Sequence, residues 1–180
     1  VGYLVRITAQ KDPVTMLKGA AEVLKQNDKM IFLFVGEGDL KASTIEMAQE
    51  LGIEKHIIFE NFRQDIPDLL SAVDIYCLPS LWEGLPIGML EAMSMEKAVV
   101  ASEVDGTKNA LVQDENGVMF PPQNPKVLAD ILLKLSQSES LRRSLGKSAR
   151  KRILEQHQLE SMTRQVEQVY DKLLEEPKEM

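Results

Sequence analysis

The chain has 180 residues, 44% of them hydrophobic and 27% charged, with a formal net charge of −7. That is enough chain to bury a core, and the composition excludes a disordered protein. The acidic balance argues against a nucleic-acid binder, which would carry a basic field, so an anionic ligand must meet locally placed cations. No apolar run has transmembrane length and the first residues lack a signal-peptide pattern. A single cysteine, Cys77, cannot form an internal disulfide, so a reducing, cytoplasmic compartment is expected.

Taken in chain order, the segment VGYLVRI (1–7) reads as a strand already under way, and a fragment with a missing upstream part is expected. Residues 13–25 have helical periodicity, with Pro13 in a first turn and Val14, Leu17, Ala20, Ala21 and Leu24 on one face. IFLFV (31–35) reads as a buried strand, followed by a glycine turn, VGEGDL, with Asp39 as N-cap of a helix over 40–51. IIF (57–59) is the next strand, 65–72 the next helix, and DIYCL (74–78) a strand in which Cys77 fills the core. A helix over 86–95 and a strand over 98–101 complete the alternating part. After Phe120 the pattern changes: PPQNP is a turn, and three amphipathic helices follow at about 125–136, 138–155 and 159–174. In the last, Leu159, Met162, Val166, Val169 and Leu173 recur at helical spacing and mark a packing face with no evident partner. EEPKEM closes the chain as a polar tail.

Short buried strands alternating with helices predict an α/β fold: a doubly wound parallel sheet with helices on both faces and added C-terminal helices. In such a sheet ligands lie beyond the carboxyl ends of the strands, which selects the loops 8–13, 36–39, 61–65, 79–88 and 102–109. Arg6 and Lys11 flank the first loop at a helix start. Spacing alone leaves them open between an anion clamp and a snorkelling arginine beside a solvated lysine. VGEGDL lacks the third glycine of the dinucleotide fingerprint; a tight turn accounts for it, with a phosphate or sugar near its backbone as the alternative. In WEGLPIGMLEAM, Glu83 and Glu91 stand eight positions apart around Gly84, Pro86 and Gly88. Eight helical residues span about 12 Å, beyond the roughly 5–10 Å of a carboxylate pair acting on one bond. The pair suits the two hydroxyl-bearing ends of one elongated ligand, or else a solvated Glu83 and a capped or paired Glu91. Trp82 reads as a packing residue, with sugar stacking as the alternative. His56 and His157 are isolated and read as surface or satisfied histidines.

From Arg6 to Tyr170 the sequence resembles the nucleotide-binding half of the group 1 (family 4) glycosyltransferases, retaining enzymes of the GT-B fold. The similarity is carried in order by RITAQK, VGEGD, FENFRQDIPDLLSAVDIYCLPS, the E-x₇-E segment EGLPIGMLEAM, the strand AVVAS, and ENGVMFPPQNP. The resemblance implies that Arg6 and Lys11 bind the donor diphosphate and stabilise the leaving group. It implies that Glu83 holds sugar hydroxyls, with Gly84, Leu85, Pro86 and Ile87 beside sugar and phosphate, and that Glu91 holds the ribose. Gly36 belongs to the glycine turn, and Phe62 and Arg63 border the base. Helix 159–174 is similar to the one that crosses to the N-terminal acceptor domain, absent from this chain.

The expected protein is therefore a metal-independent, retaining glycosyltransferase without a cofactor. Its donor is a nucleoside-diphosphate sugar and its acceptor a hydroxyl, in glycan or polysaccharide biosynthesis; the domain alone is expected to be inactive. Membrane association is expected only through the missing half. The alternatives are a nucleotide-sugar epimerase of similar fold and a non-catalytic nucleotide-binding module. The sequence departs from the family most in EVDGTKNAL, where Asp105 and Asn109 replace expected residues.

Overall fold

The structure, a computed structural model, describes residues 1–175; residues 176–180, most of the EEPKEM tail, lie outside the described part. Six strands form one sheet: β1 (Gly2–Leu4), β2 (Phe32–Val35), β3 (Ile57–Glu60), β4 (Ile75–Leu78), β5 (Ala98–Ser102) and β6 (Val118–Phe120). All neighbours are parallel, in the order β3-β2-β1-β4-β5-β6. This is the doubly wound arrangement, with the order reversing between β1 and β4. Around the sheet lie α1 (Pro13–Leu24), α2 (Lys41–Glu50), α3 (Ile66–Ser71), α4 (Ile87–Ser94), α5 (Asp105–Lys108), α6 (Pro125–Ser136), α7 (Glu139–Gln156) and α8 (Leu159–Glu175).

The period-two alternation of the strands divides the core in two. Tyr3, Phe34, Cys77 and Val100 point to one face, where Leu17 and Ala20 of α1 and Leu128 and Leu132 of α6 cover them. Tyr76, Leu78, Val99 and Ala101 point to the other, against Met89, Ala92 and Met93 of α4 and Ala149 of α7. Tyr3, Phe34 and Phe59 pack in sequence as tilted ring pairs, with centroids 4.8 and 5.2 Å apart. Cys77 is fully buried, and that burial pushes its thiol well up, so it is an unreactive core side chain. Asp12, Asn124 and Ser138 cap α1, α6 and α7 by accepting from the amides of Thr15, Val127 and Leu141; each bond satisfies an amide that the helix leaves unpaired.

Several sequence expectations are corrected. Regular strand pairing ends at Leu4 rather than at residue 7, because Val5 and Ile7 follow the turn after β2: their amides donate to the carbonyls of Val35 and Glu37. Val14 is exposed on α1; the helix instead buries Met16, Gly19 and Val23 beside Leu17 and Ala20, since it packs against both sheet and α6. Asp39 does not cap α2. The N-cap is Leu40, with no side-chain bond, and the turn is closed by the Leu40 amide donating to Ile7 O at 3.1 Å. The strand β6 and the single turn α5 were not anticipated. Trp82 is 57% exposed and is not a packing residue. His56 and His157 are half-buried, and His56 Nδ1 and His157 Nε2 are enclosed without a hydrogen-bond partner.

The apolar stripe of α8 is open: Leu159, Met162, Val166, Val169 and Leu173 are all exposed. Helix α6 is the opposite case, with Leu128 and Leu132 fully enclosed. Leu132→Ala is therefore expected to lower unfolding stability by about 2–5 kcal/mol. Leu173→Ala should change it by less than about 0.5 kcal/mol. Urea denaturation of the two variants checks the contrast.

Candidate functional site

The reversal of strand order between β1 and β4 parts the two loops that leave their carboxyl ends, which opens a crevice at that edge. One wall is residues 5–12. After β1 the chain makes a 3-10 turn (Ala9–Lys11), then enters α1 through Asp12 in the left-handed region (φ 47°). Asp12 is fixed there by accepting from both the amide and the hydroxyl of Thr15, at 3.0 and 2.6 Å. The buried Tyr3 hydroxyl donates to Lys11 O at 3.0 Å, and burial pushes its phenol pKa up, so that it stays a neutral donor.

The other wall is residues 79–88. Leu81 donates its amide to Gln10 O at 2.8 Å, and Gln10 Nε2 donates to Trp82 O at 2.9 Å, so the two loops are hydrogen-bonded to each other. The main link is ionic: Lys11 Nζ pairs with Glu83 Oε1. The Glu83 side chain is only 5% exposed and that of Lys11 18%. Ser80 Oγ donates to the same carboxylate oxygen at 2.6 Å. Lys11 is thus neither a solvated loop residue nor free, and Glu83 is far from solvated.

Arg6 and Glu91 stand in contrast. Both are exposed, and neither has a hydrogen bond or ion pair among the described residues. Glu91, which could have been read as capped or paired, is neither; it lies on α4, whose N-terminus opens toward the crevice. Pro86 is the N-cap and gives no side-chain cap. Among the described residues the amides of Gly84, Leu85, Ile87 and Gly88 donate to no protein acceptor, and the first bonded amide is that of Met89, to Pro86 O at 3.0 Å. Four such amides beside two basic residues are an arrangement that could receive an anion.

At the ends of β1 and β2, Arg6, Gly36, Phe62 and Arg63 line a cavity of about 430 Å³. Gly36 has φ 146°, and a Cβ there would sit 2.0 Å from Val5 O, so only glycine admits this approach of the turn to the first loop. Phe62 is 67% exposed. Arg63 is drawn into a two-point ion pair with Asp65, its Nε 2.8 Å from Oδ1, which raises the guanidinium pKa and lowers that of the carboxyl. The departure EVDGTKNAL forms α5. Gly106 in it lies so close to the 79–88 loop that a Cβ would meet Glu83 O and Gly84 O, both at 2.5 Å. Asp105 and Asn109 are exposed.

The structure thus brings Lys11 and Glu83 into direct contact and sets Arg6, Gly36, Phe62 and Arg63 around one cavity. Ser80, Gln10, Tyr3 and Gly106 were not anticipated as part of the site. Ser80 lies in the 79–88 loop that the fold class selects, but a lone hydroxyl carries no spacing signal. Among the described residues no cluster of three or more His, Cys, Asp or Glu side chains could hold a metal ion, and no helix is long and apolar enough to cross a membrane.

A doubly wound sheet with a crevice of this kind at its switch point is the architecture of one half of a GT-B glycosyltransferase. The chain belongs to the glycosyl transferases group 1, whose family model matches residues 1–152. It is 34% identical over 113 residues to the UDP-Gal:alpha-D-GlcNAc-diphosphoundecaprenol alpha-1,3-galactosyltransferase of Escherichia coli, covering 61% of this chain and 29% of that enzyme. Among solved structures it resembles the C-terminal domain of a group 1 glycosyl transferase, LpcC, from Francisella tularensis, with TM-score 0.80 and 26% identity over 88% of this chain and 85% of that one. It also shares the fold of Anabaena HepE in complex with UDP and glucose, with TM-score 0.89 and 21% identity, covering 95% of this chain and 47% of that one. The chain spans less than half the length of the first curated relatives it matches.

Removing one partner of a nearly buried ion pair leaves the other charge desolvated and alone. Lys11→Met is therefore expected to lower stability by about 1–3 kcal/mol. Lys11→Met combined with Glu83→Gln should recover part of that loss, because the orphaned charge is gone. Guanidinium unfolding of the wild type, both single variants and the double variant measures the coupling.

Proposed function

We infer that this chain is the donor-binding half of a retaining, metal-independent glycosyltransferase. It moves a sugar from a nucleoside-diphosphate sugar to a hydroxyl acceptor, in cytoplasmic glycan or polysaccharide biosynthesis. The observation that carries this reading is the Lys11–Glu83 pair across the switch point, with Arg6 and four amides beside it that have no partner among the described residues. Support also comes from the E. coli relative, named for a UDP-Gal donor, and from the HepE complex with UDP and glucose.

In this reading the diphosphate lies between Arg6, Lys11 and the amides from Gly84 to Gly88. As the glycosidic bond to the diphosphate breaks, negative charge grows on the departing phosphate and positive charge on the sugar. Fixed cations and amides in place before the reaction stabilise that phosphate without reorganising. The two protein cations take the part that a divalent metal plays elsewhere. Glu83 accepts hydrogen bonds from hydroxyls of the sugar, Glu91 from those of the ribose, and the base occupies the cavity lined by Gly36, Phe62 and Arg63. The acceptor is held by an N-terminal domain outside this chain, against which the open apolar face of α8 packs.

Calorimetry of the chain with UDP, GDP and ADP is expected to give binding with at least one; a folded sample giving heat with none overturns the reading. Arg6→Ala and Lys11→Ala should each weaken that binding by about tenfold or more, as expected for charged hydrogen bonds. Unchanged affinity in both removes the clamp assignment.

A further inference from the structure

Glu83 receives two donors, and both go to one of its oxygens. Lys11 Nζ and Ser80 Oγ each bond Oε1, and Oε2 has no partner among the described residues. Ser80 is fully buried, and among the described residues Glu83 is the sole hydrogen-bond partner of its hydroxyl. Were Glu83 to swing away, that hydroxyl would be left unsatisfied in the interior, a costly state. The bond is also a short one to a charged acceptor, the stronger class of hydrogen bond.

Ser80 is itself held from behind. Ser102 Oγ, at the end of β5, donates to Ser80 O and lies 3.5 Å from Leu78 O. Thr107 Oγ1, in α5, lies 2.6 Å from Ser102 O and accepts the Val104 amide at 3.1 Å. Ser80, Ser102 and Thr107 are all fully buried. Three buried hydroxyls therefore run from the altered EVDGTKNAL segment, through the end of β5, to the carboxylate in the crevice.

We propose that Ser80, backed by Ser102 and Thr107, is a positioning residue that locks Oε1 of Glu83 and leaves Oε2 as the acceptor for a hydroxyl of the donor sugar. Lys11 cannot do this alone. An ammonium is a rotatable point charge that follows a carboxylate through many orientations, whereas a buried hydroxyl on a strand end fixes one. The altered segment so reaches the Glu83 side chain through hydrogen bonds on the β5 side, in addition to the packing of Gly106 against the Glu83 and Gly84 carbonyls. The inference rests on the reading of Glu83 as the sugar-holding carboxylate.

The test is calorimetry of the 180-residue chain with UDP, UDP-glucose, UDP-galactose and UDP-N-acetylglucosamine, and with GDP and GDP-mannose. For each nucleotide sugar, the affinity gain over its own diphosphate measures the sugar contact. In the wild type at least one sugar should show a gain, and Glu83→Gln should abolish it while the diphosphate still binds. Ser80→Ala should reduce the gain roughly tenfold, the worth of one charge-assisted bond, and leave diphosphate affinity unchanged. Added to Glu83→Gln, it should leave the remaining diphosphate affinity where Glu83→Gln alone puts it, which a general structural defect would not reproduce. Ser102→Ala, one step removed, should give a smaller loss of the same kind and serves if Ser80→Ala does not fold. A gain lost in Glu83→Gln but intact in Ser80→Ala, or in Ser102→Ala where that variant stands in, overturns the proposal and leaves the reading of Glu83 standing. No gain with any sugar in the wild type, or a gain that survives Glu83→Gln, overturns that reading and the proposal with it.

Discussion

The crevice depends on one carboxylate that has been taken almost out of water. A desolvated Glu83 would be untenable alone; it is stable because Lys11 and Ser80 both donate to it. Since Lys11 leaves β1 and Glu83 leaves β4, the ion pair also joins the two loops at the place where the sheet separates them. The Gln10 and Leu81 bonds reinforce the same seam with backbone geometry. An interaction that stabilises the fold and one that arranges the site are here the same contact.

The sheet order makes this contact available and also limits it. Strands β1 and β4 are neighbours paired at Gly2 and Tyr76, and their onward connections go to opposite sides. The crevice walls are therefore backbone, and backbone walls need close approaches. The glycine turn presses against Val5 and the turn of α5 presses against Glu83 and Gly84, each at a position where a side chain has no room. The tight parts of the site thus rest on Gly36 and Gly106, and in the proposed reaction its chemistry would rest on Lys11, Glu83, Arg6 and the amides at the start of α4.

The helices other than α5 were legible to within about two residues because their apolar periodicity and their Pro and Asn starts are local signals. The doubly wound sheet followed from the alternation of short β-rich runs with those helices. The strand β6 escaped because three residues after Gly117 carry too little pattern to separate a strand from a loop. Trp82 was misread because an apolar side chain is not obliged to be buried. In the site, the charged residues stood out by type, and the family resemblance ordered them. What the sequence could not carry was pairing: nothing in RITAQK or WEGLP says that Lys11 meets Glu83 rather than solvent. The hydroxyls of Ser80, Ser102 and Thr107 were silent for the same reason, since their role lies in contacts between segments 22 residues apart (Ser80 and Ser102) or joined through a tight turn (Ser102 and Thr107).

The structure also divides two residues that look alike in sequence. Arg6 and Lys11 lie on one loop and carry one charge each, yet among the described residues Arg6 has no partner and Lys11 is already engaged. The difference suits their chemistry. An ammonium has three rotatable donors, so Lys11 can keep one on Glu83 and still turn others toward an arriving anion. A guanidinium presents a planar fork that is most effective when both of its prongs meet one phosphate, and an unpaired Arg6 keeps that fork whole. In the proposed reaction Lys11 would then touch both ends of the bond that breaks, the sugar through Glu83 and the phosphate directly. Arg6 would touch the phosphate alone. A carboxylate held beside the sugar and a cation held beside the leaving group are complementary to the charges of the transition state, and the Lys11–Glu83 pair keeps the two in register before any ligand arrives.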